Sequence, residues 1–85
     1  MDYIKHTLRM IEENKKLISE IIVSDINNPI LESVIQSHIK AYHILNKPFN
    51  LLDIITPLQE NYNKKNIKKE ELARVLNYIV NNIII

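Results

Sequence analysis

The chain contains no cysteine and no glycine, and these two absences exclude more functions than any motif in the sequence suggests. Without cysteine there is no disulfide, no thiolate metal ligand and no thiol nucleophile. Phosphate-binding loops, nucleophile elbows, dinucleotide-binding fingerprints and tight hairpins of the primed turn types all depend on glycine. We therefore expect a protein that is not an enzyme and that binds neither a cofactor nor a metal ion.

Long hydrophobic runs and an excess of one charge are also missing. Runs such as Ile21–Val23 and Ile83–Ile85 are only three residues long, far too short to span a bilayer. The first residues lack the basic start and the apolar stretch of a signal peptide, so we expect a cytoplasmic protein without a transmembrane segment. Eleven basic and ten acidic side chains give a net charge of +1, so no global field attracts nucleic acid or lipid.

Length and composition indicate one small helical domain. Hydrophobic residues make up 46 % of the 85 residues and charged residues 25 %, as in a packed globule. Apolar residues recur at steps of three and four, and this spacing predicts helices, not strands. Four such segments with short connections have to bury their apolar faces together. We predict a single all-α domain over residues 1–85, an antiparallel four-helix bundle, with a three-helix array as the alternative.

Asparagine and proline residues mark where the predicted helices begin. The first helix is expected over about residues 3–23. Asn28, Asn50 and Asn66 are suited to cap the three helices that follow, because an asparagine side chain can accept a hydrogen bond from a free amide of the first turn. Each of the three connections therefore has a polar residue in place to start the next helix.

The third predicted helix contains an internal break at Pro57. Residues 56–59 have the form of a capping box, with the proline at the first helical position and Gln59 reaching back. A proline inside a helix costs about 3 kcal/mol. We therefore predict that the third helix is kinked or split near Thr56 and Pro57.

The ionisable residues do not form a catalytic or metal-binding pattern. His38 and His43 are five positions apart, whereas zinc ligands on one helix face are four apart, and His6 lies elsewhere. His38 falls within the apolar stripe of the second helix, with no acidic residue at a suitable spacing, and is interpreted as a buried structural residue. The pairs Glu12–Glu13 and Glu70–Glu71 diverge around their helices and form no carboxylate dyad.

Two segments are candidates for contact with a partner. Lys64, Lys65, Lys68 and Lys69 form the one local cluster of charge, which suits phosphate, anionic lipid headgroups or an acidic partner, and which is equally typical of a solvated turn. Nucleic acid is disfavoured, because few aromatic residues are present and the last helix alternates basic and acidic residues.

The second candidate segment is the apolar end of the sequence. Ile83, Ile84 and Ile85 are consecutive, and a helical period cannot bury all three on one face. Either at least one of them is exposed or in contact with a partner, or the three fold back onto the bundle.

A run of features occurs in a fixed order along most of the chain. It comprises an apolar end of the first helix in 17–22, an asparagine start in Asn28–Ile35, a proline start in Lys47–Ile54, and a polar turn leading through Ile67 to a Lys/Glu-rich helix ending at Leu72–Ile79. This pattern resembles the immunity proteins of pediocin-like (class IIa) bacteriocins, of the enterocin A and piscicolin type.

The resemblance implies a cytosolic antiparallel four-helix bundle, without enzymatic activity, that protects the producing cell from its own bacteriocin. Members of that family are thought to engage the membrane-embedded mannose phosphotransferase receptor when bacteriocin is bound, and so to block the lethal pore. Their third helix, fourth helix and tail set which bacteriocin is countered, and the matching region here is about residues 48–85. The family keeps its third helix more continuous than Pro57 suggests here.

Two other functions stay open on the residues alone. One is a small regulator, encoded by a phage or plasmid, that binds a protein or nucleic acid through Lys64–Lys69. The other is a helical interaction module that dimerises through Ile83–Ile85. A protein partner is expected in the first reading and in both alternatives, and peripheral contact with a membrane is compatible with each of them.

Overall fold

The computed structural model describes residues 2–83 and is all-helical over that range. It contains four helices: α1 (Asp2–Asp25), α2 (Ile30–Ile44), α3 (Leu52–Asn63) and α4 (Lys69–Ile83). No strand occurs between residues 2 and 83. The all-α class and the number of helices predicted from the apolar spacing are therefore confirmed.

The turn after α1 and the turn after α3 lie at the same end of the molecule. The Asn27 side-chain amide donates a hydrogen bond to the Glu71 carboxylate at 2.6 Å, and Asn66 lines the same small cavity as Ile22 and Ile26. Consecutive helices therefore run in opposite directions, as expected for an antiparallel bundle. Both α1 and α4 pack against α2 and α3, so the order around the bundle is α1, α2, α4, α3.

The core is formed by the apolar stripes that the sequence predicts. Its fully buried aliphatic side chains come from all four helices: Ile18, Ile22, Leu31, Ile35, Ile54, Leu58 and Ile79. Burying one such side chain stabilises the fold by about 1.5–3 kcal/mol. α4 contributes only Ile79 to this set, whereas each of the other helices contributes two residues.

Two of the three predicted asparagine caps are present. The Asn28 side-chain oxygen accepts a hydrogen bond from the Ile30 backbone amide at 3.0 Å, and the Asn50 oxygen accepts one from Leu52 at 3.2 Å. Each satisfies one of the amides that the first turn of a helix leaves free. The starts of α2 and α3 are therefore fixed by local sequence.

The predicted cap at Asn66 is wrong. Its side chain donates to the Asn61 side-chain oxygen at 3.1 Å instead, and so tightens the end of α3. The first turn of α4 is capped by Glu71, whose carboxylate accepts the backbone amide of Lys68 at 2.8 Å. Glu71 does so because it lies three residues after Lys68, the spacing at which a glutamate reaches back to the residue preceding a helix.

Helix α3 continues through Pro57 as one segment and is not split. The proline carries no amide hydrogen, so the Asp53 carbonyl lacks its usual partner four residues later. The Pro57 carbonyl accepts a second hydrogen bond, because the Asn61 side-chain amide also donates to it at 2.8 Å. The packing of Ile54 and Leu58, both fully buried, holds the helix together on either side.

We predict that Pro57→Ala raises the free energy of unfolding by about 1–3 kcal/mol, because an alanine amide can bond to the Asp53 carbonyl. Urea denaturation followed by circular dichroism measures the change. Gln59→Ala, at an exposed position of the same helix that already has its amide, is the control. A Pro57→Ala variant no more stable than this control would mean that the helix has adapted fully to the proline.

Candidate functional site

The four lysines predicted to bind a partner lie together at the end of the bundle where α3 turns into α4. We call Lys64, Lys65, Lys68 and Lys69 the lysine turn; all four are exposed. No acidic side chain among residues 2–83 lies within ion-pairing distance of any of them. The turn therefore presents four positive charges to solvent. The charge on Lys68 lies close enough to Glu71 to assist the Lys68 backbone amide in lowering the pKa of that carboxyl.

The backbone of Lys65 is in the left-handed region, with φ of 63°. Its amide donates to the Tyr62 carbonyl and the next amide donates to the Asn61 carbonyl, which is the usual pattern of a helix end that closes on glycine. A lysine in this conformation costs about 1–2 kcal/mol that glycine would not. A lysine side chain is therefore held at a position where the backbone conformation favours glycine, which has no side chain.

The structure does not bring the lysine turn and the isoleucine tail together. Ile83 is 37 % exposed at the far end of α4, and Ile84 and Ile85 lie outside the described residues. A 15-residue helix separates its two ends by about 21 Å. Ile83 therefore cannot share one small surface with the lysine turn.

An apolar groove, which sequence reasoning did not find, runs between α3 and α4. It has a volume of about 190 Å³, and its lining comprises Ile55, Leu58, Gln59, Tyr62, Leu72 and Leu76. We call it the α3–α4 groove. Its floor is the fully buried Leu58, and its rim includes Tyr62, which is 39 % exposed. One end of the groove reaches the lysine turn, because Tyr62 precedes Lys64 by two residues.

Polar contacts tie α4 to the bundle at both ends. Near its C-terminal end the Tyr78 hydroxyl donates to the Glu32 carbonyl at 3.3 Å. The Gln36 side-chain amide donates to Asn82 at the same end.

Three contacts meet at the start of α4. Arg74 donates to the Asn27 side-chain oxygen at 2.7 Å and to the Ile26 carbonyl at 3.1 Å, while the Asn27 amide donates to Glu71. The Lys68 backbone amide and then the Asn27 amide lower the pKa of Glu71, because both stabilise its ionised form. This polar clamp fixes the N-terminal end of α4.

A second polar cluster lies inside the bundle, around His38. Its ring is fully buried, and its Nε2 lies 2.9 Å from a carboxylate oxygen of Asp53. The Tyr42 hydroxyl donates to the same oxygen at 2.8 Å, and the Lys15 ammonium lies 4.0 Å from the other. Asp53 thus joins α1, α2 and α3, and it serves His38 although no acidic residue lies at a suitable spacing along α2. The partner comes from another helix, so spacing along one helix could not reveal it.

The surroundings of His38 indicate a structural role for this cluster. The His38, Tyr42 and Phe49 rings pack edge to face, with centroids 5.3–5.6 Å apart. His38 Nδ1 has no hydrogen-bond partner among the described residues, so the proton belongs on Nε2, facing Asp53. Because the ring is closed off from solvent, no substrate can approach it. The cluster fixes the positions of three helices.

The remaining ionisable residues are dispersed. His6 and His43 are both exposed, and no three histidine, aspartate or glutamate side chains within residues 2–83 are placed to hold a metal ion together. None of the four helices, as far as the structure describes them, is long and apolar enough to cross a membrane. Comparison with protein-family models, with curated proteins and with solved structures finds no significant match to this chain.

We predict that Tyr42 makes stability depend on pH in the alkaline range. Burial first, and then the hydrogen bond to Asp53, raise the pKa of Tyr42 from 10.0 to about 12. Because the folded state favours the neutral hydroxyl, its contribution is complete below pH 10 and is lost as the pH rises to about 12. Wild-type unfolding free energy should therefore fall more steeply over this range than that of Tyr42→Phe.

Urea denaturation at a series of alkaline pH values measures both curves. Tyr3→Phe, which changes an exposed tyrosine on α1, is the control and should follow the wild type. Parallel curves for wild type and Tyr42→Phe would show that the bond to Asp53 does not favour the neutral hydroxyl in the folded state.

Proposed function

We propose that this protein is a cytosolic bacteriocin immunity protein. In this proposal it protects the producing cell by binding a membrane receptor, a mannose phosphotransferase, together with its bound bacteriocin. The α3–α4 groove is the observation that carries the proposal, because it is a site for a protein segment in the half of the chain where the resembled family sets its specificity.

The chemistry of the α3–α4 groove suits an amphipathic helix. Its lining is almost entirely aliphatic and aromatic, and an apolar helix face buries well in a groove between two helices. The lysine turn at one end carries positive charge, which favours acidic side chains or the negative C-terminal end of a partner helix. A groove and a charged end together fix both the position and the direction of such a segment.

The test is protection of a bacteriocin-sensitive strain that expresses this chain. We expect growth at concentrations of at least one pediocin-like peptide that stop the parent strain. Tyr62→Ala should lower the tolerated concentration about tenfold or more, because truncating an aromatic anchor in a groove typically costs over about 1.4 kcal/mol. Lys64→Glu should weaken protection as well.

Matched controls separate the groove from the rest of the surface. Leu17→Ala truncates an apolar side chain on α1 that is 40 % exposed, much as Tyr62 is, and Lys16→Glu makes the same charge change at an exposed site away from the groove. Both should protect as the wild type does. No protection by the wild-type chain against any pediocin-like peptide would refute the immunity function, and equal losses in variants and controls would refute the role of the groove.

The lysine turn supports a second candidate function, a small regulator that binds nucleic acid. Its four side chains are exposed and form no ion pair within residues 2–83, which suits contact with phosphates. If all four neutralise phosphates of duplex DNA, the logarithm of affinity should fall against the logarithm of salt concentration with a slope of about −3.6. A salt-insensitive gel shift, or none at all, would exclude this function.

A further inference from the structure

The end of the bundle opposite the lysine turn concentrates exposed apolar side chains. We call residues 2–9 together with residues 40–52 the open end. These two segments are about a quarter of the described residues, yet they hold six of the twelve large apolar side chains that are exposed. The six are Tyr3, Ile4, Leu8, Ile44, Leu51 and Leu52.

The open end exists because α1 is longer than the helices that cover it. The Asn14 side chain approaches Ser37 at 3.4 Å, so the antiparallel register carries α1 past the end of α2 at Ile44. Ile4 lies on the same face of α1 as the buried Ile11 and Ile18, at helical spacing. The core-facing stripe of α1 therefore continues beyond the end of α2, which covers the rest of it, and Ile4 is 40 % exposed.

The open end is also positively charged. Its two segments carry four basic residues, Lys5, Arg9, Lys40 and Lys47, and one acidic residue, Asp2, and the exposed Glu12 borders them near Tyr42. All five side chains within the two segments are exposed, and none is in an ion pair within residues 2–83.

Apolar side chains surrounded by lysine and arginine fit the surface of a bilayer that contains anionic lipids. The aliphatic residues can enter the boundary between headgroups and acyl chains, while the basic residues meet the headgroups. A tyrosine such as Tyr3 is favoured at that boundary, because its ring is apolar and its hydroxyl is polar. A second copy of the chain suits this surface less, because two positive ends repel each other. Nucleic acid would leave the aliphatic side chains in water.

We infer that the open end docks the protein on an anionic membrane surface, peripherally, with α1 entering the interface by its first turns. This inference does not depend on the immunity function, because it concerns lipid alone. A failure to bind vesicles would leave the protection experiment unaffected, and a failure to protect would leave vesicle binding unaffected.

The experiment is co-sedimentation of the full chain with vesicles. Vesicles of equal parts phosphatidylcholine and phosphatidylglycerol should bind the protein, added salt should weaken the binding, and pure phosphatidylcholine should bind it poorly. Lys5→Gln with Lys47→Gln should weaken binding roughly thirty-fold, at about 1 kcal/mol for each basic residue near an anionic surface. Ile44→Ser with Leu52→Ser should weaken it about tenfold or more.

Two controls make comparable changes away from the open end and the lysine turn. Lys16→Gln removes one charge, for comparison with Lys5→Gln alone, and Val23→Ser with Val80→Ser removes aliphatic side chains that are 63 % and 50 % exposed. Both controls should bind as the wild type does, and circular dichroism checks that every variant is folded. All the substituted side chains are exposed.

Three results would overturn the inference. They are no binding to the phosphatidylglycerol vesicles, binding that the open-end variants leave unchanged, and binding that the controls reduce as much as the matching open-end variants do. Binding to polyglutamate without binding to vesicles would instead assign the open end to an acidic protein. Concentration-dependent sedimentation of the protein alone, abolished by Ile44→Ser with Leu52→Ser, would assign it to a second copy.

Discussion

The carboxylate of Asp53 is the interaction on which the arrangement of the helices depends. It accepts hydrogen bonds from His38 and Tyr42 of α2 and lies beside Lys15 of α1, so one buried group on α3 ties three helices. Removing one member of such a buried pair typically costs about 3–5 kcal/mol, a large fraction of the stability of a small domain. These contacts of Asp53 place the start of α3 level with the middle of α1. The first turns of α1 are therefore not covered by α3.

Local sequence was sufficient for the helices and insufficient for what joins them. The caps at Asn28 and Asn50 could be predicted because each accepts a hydrogen bond from an amide two residues away. Asn66 instead donates its side-chain hydrogen bond to Asn61, and Glu71 caps the start of α4. Lys15 lies at a position where the stripe of α1 would place an apolar residue, and there its ammonium approaches the buried Asp53 at 4.0 Å. The α3–α4 groove had no signal in the sequence, because its shape depends on how two helices pack.

The absence of glycine has a physical consequence at both helix ends that close in the left-handed conformation. Asn46 with φ of 55° and Lys65 with φ of 63° take the positions that glycine usually fills. Asparagine tolerates this conformation better than most residues, so the end of α2 is nearly relaxed. Lysine does not, so the lysine turn carries a charge at a position where the backbone conformation costs stability.

The two positively charged ends cannot serve one partner surface at the same time. The molecule is 43 Å long and 25 by 20 Å across, and α1 and α3 each run from the open end toward the lysine turn. If the open end rests on a bilayer with the long axis upright, the lysine turn points away from it into the surrounding water. The α3–α4 groove then lies along the side of the bundle, reachable by a segment that leaves the membrane. A receptor with a helix near the bilayer surface would therefore meet the groove and the lipid contact together, and each weak contact would raise the effective concentration for the other.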